Sequence, residues 1–89
     1  MILTRPSFDR AFAKLTSRQQ ARVNQAIERL EEAFGRPHLH AGLGLRSIGP
    51  FFECRAGLDL RVLFVVSQGD LILVTVGNHD HAARFLRGA

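Results

Sequence analysis

The stretch that decides the fold runs from Phe51 to Val76. It reads Phe51-Phe52-Glu53-Cys54-Arg55-Ala56, Gly57-Leu58-Asp59, Leu60-Arg61-Val62-Leu63-Phe64-Val65-Val66, Ser67-Gln68-Gly69-Asp70 and Leu71-Ile72-Leu73-Val74-Thr75-Val76. Three β-rich runs are separated by turn residues, and connections this short can join only antiparallel neighbours. A three-residue turn at 57–59 sets Arg55 opposite Arg61, Cys54 opposite Val62 and Phe52 opposite Phe64. That register puts apolar against apolar, whereas a slip of one residue would mix the two faces. A two-residue turn at Gln68-Gly69 then predicts Phe64 opposite Leu73 and Arg61 opposite Val76. One face of the sheet becomes Phe52, Cys54, Leu60, Val62, Phe64, Val66, Leu71 and Leu73. The other carries Glu53, Arg55 and Arg61 and continues into Leu63, Val65, Ile72 and Val74.

Upstream, Leu43–Ile48 is another β-rich run, closed by Gly49-Pro50. The first half of the chain reads differently. Residues 1–4 form a short opening strand stopped by Pro6. Phe8, Ala11, Phe12 and Leu15 then recur at i, i+3, i+4 and i+7, one face of a short helix. Thr16 and Ser17 are each followed three residues later by Gln19 or Gln20, a capping-box pattern that starts a second helix. Its apolar stripe is Val23, Ala26, Ile27, Leu30 and Phe34, and Gly35 and Pro37 end it. Two amphipathic helices joined so tightly form an antiparallel hairpin that needs a sheet to cover. Asp80–Arg87 is too short for a stable isolated helix, but it can dock as a final turn or two. The expected architecture is α+β, in the order β-α-α-β-β-β(-α), with an antiparallel sheet covered on one face by the helical hairpin.

The 89 residues allow one domain, 1–89. Hydrophobic residues are 46% of the chain and charged residues 22%, a composition that belongs to a globular protein and excludes a disordered one. No apolar run approaches the ~18 residues of a membrane span. The opening Met1-Ile2-Leu3-Thr4-Arg5-Pro6 lacks the features of a signal peptide, so the cytoplasm is the expected location. Cys54, the one cysteine, has no internal disulfide partner and suits a reducing compartment.

Twelve basic residues against eight acidic ones give a net charge of +4, and eleven of the twelve are arginine. Guanidinium forks onto phosphate oxygens, so an arginine-rich surface suits a nucleic-acid backbone. A GC-rich genome would produce the same composition, and an acidic protein partner would fit the same charge. The register narrows this. The last strand runs back toward the 57–59 turn, so Gly77-Asn78-His79-Asp80-His81 ends beside Arg55 and Arg61. Guanidinium groups bind phosphate and stabilise the charge of a phosphoryl transition state. Imidazole carries protons near neutral pH. Together they suffice for metal-free RNA cleavage, in which a base deprotonates the 2′-hydroxyl and an acid protonates the leaving 5′-oxygen.

Plainer readings stand beside this one. Arg55 and Arg61 are equally what a solvated strand face would carry, and Glu53 could simply pair with an arginine there. Asp59 suits the turn. His79 and His81 could be ordinary exposed histidines. Phe85 and Leu86 could pack a terminal helical turn onto the sheet, or Phe85 could stack on a base. His38-x-His40 and His79-x-His81 would suit zinc or nickel if the pairs met. Nothing in the sequence brings them together, and no metal or other cofactor is expected.

The Phe-rich first helix, the capped second helix, Pro37-His38-Leu39-His40-Ala41-Gly42-Leu43, Phe52-Glu53-Cys54-Arg55, Leu60-Arg61-Val62-Leu63-Phe64 and Val76-Gly77-Asn78-His79-Asp80 together resemble the RelE/ParE toxin superfamily, over nearly the whole chain. The resemblance is to its RelE-, YafQ- and HigB-like branch. It implies the toxin of a type II toxin–antitoxin pair, a ribosome-dependent mRNA endoribonuclease that inhibits translation. The alternatives are a ParE-like DNA gyrase inhibitor and a non-catalytic antitoxin-binding member.

By position the resemblance assigns Arg61 to the transition state, and it places Arg55, His79 and His40 at family site positions, with His81 as a neighbour able to replace His79. Asp59 matches a site aspartate of YafQ-like members only. Arg46, Arg84 and Phe85 are the expected RNA contacts. The chain has no tyrosine and only Lys14 as lysine, so tyrosine- and lysine-based variants of the chemistry are absent. The implied partners are a cognate antitoxin with an acidic or amphipathic segment, the ribosome and mRNA, with higher-order assembly on operator DNA and no membrane. Leu63, Val65, Ile72 and Val74 form an apolar patch away from the helical hairpin, which such a segment would cover.

Overall fold

In the computed structural model, residues 1–34 and 43–88 are described. The elements are β1 (Ile2–Thr4), α1 (Pro6–Ala13), α2 (Ser17–Ala33), β2 (Arg46–Ile48), β3 (Phe51–Arg55), β4 (Arg61–Ser67), β5 (Asp70–Gly77) and α3 (His79–Gly88). The order contains one more strand than β-α-α-β-β-β(-α), since all four β-rich runs after the second helix contribute a strand. The five strands lie in the order β1-β5-β4-β3-β2.

The local signals act as expected where the chain is described. Pro6 occupies the first turn of α1, where its missing N–H costs nothing. Thr16 caps α2 reciprocally. Its hydroxyl accepts from the Gln19 backbone at 3.1 Å, and the Gln19 side chain accepts from the Thr16 backbone at 2.9 Å. Gly35 and Pro37, expected to end α2, lie outside the described residues. The β3–β4 register is as predicted, with Phe52 opposite Phe64, Cys54 opposite Val62 and Arg55 opposite Arg61. The β4–β5 turn has φ values of 52° at Gln68 and 83° at Gly69, the left-handed pair that matches the twist of a two-residue hairpin.

The core lies between the sheet and the first two helices. Phe8 of α1 and Val23, Ala26 and Leu30 of α2 pack on Cys54, Val62, Phe64, Leu71 and Leu73. Phe34, Phe52 and Phe64 meet as a ring cluster with centroids 5.5 to 5.8 Å apart. Val66, expected in this core, is 39% exposed. It sits one pair from the hairpin tip.

The structure corrects three further expectations. Arg61 lies opposite Gly77, not Val76, because the register shifts between Leu63 and Phe64. Leu63 faces Thr75 and Phe64 faces Leu73, so Val74 is the extra residue of a β-bulge. The bulge reverses alternation along the end of β5, turning Val76 into the core under α1 and α2. Second, the sheet is not wholly antiparallel, since β1 pairs with β5 in parallel, Leu3 opposite Ile72. Third, helices cover both faces. The C-terminal segment forms ten residues of helix that lie over β4 and β5, where Ala82, Phe85 and Leu86 pack on Leu63, Val65, Val74 and Phe51. Leu63 and Val74 are therefore buried within the chain itself, and the apolar-patch argument for a partner falls with them.

Candidate functional site

The α3 side of the sheet carries two rows of residues set by strand pairing. Arg46, Glu53, Leu63 and Thr75 lie opposite one another in succession across β2, β3, β4 and β5. In the adjoining row Arg55 faces Arg61, which faces Gly77. Two like charges directly opposite one another are unfavourable, and this pair is held nonetheless.

The two arginines are held differently. The Arg61 side chain is only 14% exposed. Its Nε lies 3.6 Å from Glu53 Oε1, and its Nη1 donates to the carbonyls of Leu58 and Leu60, both at 3.3 Å. Glu53, 7% exposed, also faces Arg46 Nε at 3.9 Å, so one buried carboxylate offsets part of the positive charge. Arg55 is exposed, and its aliphatic stem lies against Gly44. Gly44 holds φ at 59°, left-handed backbone that favours glycine, and a Cβ there would come within 2.8 Å of Arg55 Cδ and push the stem aside. The Arg55 backbone N–H donates to the Leu43 carbonyl at 2.6 Å.

The bulge and the start of α3 bring in an imidazole. Asn78 Oδ1 accepts from the His81 N–H at 2.8 Å, an N-cap that opens the helix beside the end of β5. The His81 ring then folds back over Gly77, with Nε2 2.8 Å from Thr75 Oγ1. A Cβ on Gly77 would lie 2.6 Å from both Cγ and Cδ2 of that ring, so the close approach requires glycine. His81 thus touches both rows, resting on the residue paired with Arg61 and bonding to the one paired with Leu63.

The remaining expected site residues divide. His79 is exposed at the first position of α3, and its side chain has no hydrogen bond or ion pair among the described residues. Arg46 and Arg84 are exposed. The Phe85 ring packs edge-on against Phe51 with centroids 5.9 Å apart, the packing sense of its two readings. Asp59 lies 3.8 Å from Arg22, across the turn from α2. His40 and His38 lie outside the described residues. Among the described residues no three His, Cys, Asp or Glu side chains gather as a metal site requires, and no helix is long and apolar enough to cross a membrane.

Thr75 and Gly77 were not singled out from the sequence. The signal for Thr75 is a lone hydroxyl inside the apolar run Leu71–Val76. For Gly77 it is a glycine placed between that run and the Asn78 cap.

No family profile and no curated protein sequence matches the chain. Solved structures do. A copper-bound mutant toxin from Helicobacter pylori is 21% identical, with a TM-score of 0.68 over 90% of this chain and 94% of that one. RelE in the RelB–RelE antitoxin–toxin complex from Methanococcus jannaschii is 16% identical, with a TM-score of 0.69 over 93% and 96%. YafQ from E. coli is 10% identical, with a TM-score of 0.68 over 92% and 96%. The chain has the fold of RelE-like toxins.

Proposed function

We propose that this chain is the toxin of a type II toxin–antitoxin pair and that it cleaves mRNA on the ribosome. The observation that carries the reading is the row of Arg55, Arg61 and Gly77 with the His81 ring resting on it. Arg55 and Arg61 occupy facing positions on adjacent strands, and two arginines gathered on one sheet face suit an anion such as a phosphodiester. In the reaction a base removes the proton of the 2′-hydroxyl, and that oxygen bonds to the adjacent phosphorus. The P–O5′ bond breaks as an acid protonates the departing oxygen, leaving a 2′,3′-cyclic phosphate. Arg61 and Arg55 stabilise the extra negative charge on phosphorus-bound oxygens in the transition state. His79, His40 and His81 are the imidazoles available for the proton and hydrogen-bonding roles. Arg46 and Arg84 contact the flanking phosphates.

The partner in this reading is an antitoxin whose acidic or amphipathic segment neutralises the arginine cluster, with assembly on operator DNA as the regulatory form. Its support is the net charge of +4 and the fold shared with chains solved in antitoxin complexes. Induced expression should arrest growth and translation, and primer extension should find new 5′ ends inside translated messages. Arg61→Ala should lower cleavage by about 10²- to 10³-fold, the cost of losing one transition-state charge contact. Normal translation during the arrest would overturn the nuclease reading, and a DNA-damage response with intact mRNA would select gyrase inhibition instead.

A further inference from the structure

Among the described residues two polar side chains are buried, Glu53 and Thr75. Glu53 is matched by Arg46 and Arg61. Thr75 is 2% exposed and occupies a position where valine would have the same shape without burying a hydroxyl. Its oxygen has one side-chain partner among the described residues, His81 Nε2 at 2.8 Å.

We infer that Thr75 is a positioning residue that fixes neutral His81 as its Nδ1–H tautomer and aims that N–H away from the sheet. A hydroxyl carries one hydrogen, and a buried hydrogen without an acceptor is costly. The acceptor within reach of Thr75 is the imidazole, so Oγ1–H donates to Nε2 and the ring proton sits on Nδ1. The ring's orientation follows from its contacts. The Cγ–Cδ2 edge rests on Gly77 and Nε2 meets Thr75, so the opposite edge, with Nδ1 and Cε1, faces outward. His81 is half-buried rather than enclosed.

The consequence rests on the nuclease reading above. A neutral imidazole presenting N–H outward donates a hydrogen bond to a phosphoryl or leaving oxygen as charge develops there. It offers no outward lone pair, so it is not the base that takes the 2′-hydroxyl proton. That role falls to another group, for which the nuclease reading offers His79.

The test is nitrogen-15 NMR of the imidazole of His81 in the purified chain, above its titration. Wild type should show a pyrrole-type Nδ1 and a pyridine-type Nε2. Thr75→Ser should keep that pattern, and Thr75→Val, which takes away the donor to Nε2, should shift the Nε2 resonance away from its hydrogen-bonded position while the other resonances stay in place. In the cleavage assay Thr75→Val should lower kcat by about 10- to 100-fold with KM little changed, and Thr75→Ser should restore it. A wild-type ring already protonated on Nε2, or one indifferent to Thr75→Val, overturns the inference. Absence of cleavage by wild type with the expected NMR pattern refutes only the nuclease reading.

Discussion

Arg55 and Arg61 stand opposite each other on adjacent strands, and Glu53 lies beside Arg61, so among the described residues Arg55 contributes repulsion without a counter-charge. Arg55→Gln should leave the thermal midpoint unchanged or raise it slightly, while RNA binding weakens. A marked fall in the midpoint would show that Arg55 is structural. Cys54 shows burial acting on the neighbouring strand position. Desolvation, with the Glu53 charge adding to it, pushes its thiol up from 9.0 to about 12. The native thiol therefore keeps its proton over a range in which the unfolded chain has lost it. Stability should fall between about pH 9 and 12 by roughly 1.4 kcal/mol per pH unit, and Cys54→Ala should remove that part of the slope in alkaline denaturant titrations. Equal slopes in the two proteins would contradict the burial. At this scale Arg55 and Arg61 were legible as a pair, because the apolar residues flanking them admit one register. His81 was legible only as a neighbour of His79, since choosing between them depends on where the helix begins.

Among elements, the β4–β5 hairpin carries a cost at its tip, where Gln68 holds φ at 52°. Left-handed backbone disfavours most side chains and is tolerated by asparagine. Gln68→Asn should stabilise the protein by about 0.5–1 kcal/mol in chemical denaturation; a loss would mean that the glutamine side chain has a role of its own. The hairpin's turn and its first pairs could be read from the sequence. The bulge could not, because Leu71 to Val76 is apolar except at Thr75, and alternation cannot reveal an extra residue in a run without contrast. The side chosen by α3 was hidden for a related reason. Its face of Ala82, Phe85 and Leu86 is plainly amphipathic, but the bulge at Val74 and the Asn78 cap decide which side of the sheet it meets.

For the molecule as a whole, the net charge of +4 would make any association with RNA a competition with salt. Binding to a single-stranded oligonucleotide should weaken linearly in a plot of log affinity against log salt. Arg55→Gln should reduce that slope by about 0.7, one phosphate contact's share on a single strand. An unchanged slope would place the phosphate elsewhere. The fold class was legible because two helical periodicities precede a set of short strands joined by tight turns. The parallel β1–β5 edge was not, since three residues contain no information about a neighbour some seventy positions away.

That edge also bears on how the chain comes into being. Synthesis runs from β1 toward α3, yet Ile2 and Leu3 find their partners only at Leu71 and Ile72. Until β5 exists, α1 and α2 lack much of the surface they cover, and Arg61 has no Gly77 across from it. The imidazole arrives later still, after the Asn78 cap. A growing chain halted before β5 would therefore carry both guanidinium groups but neither the finished row nor the ring beside it.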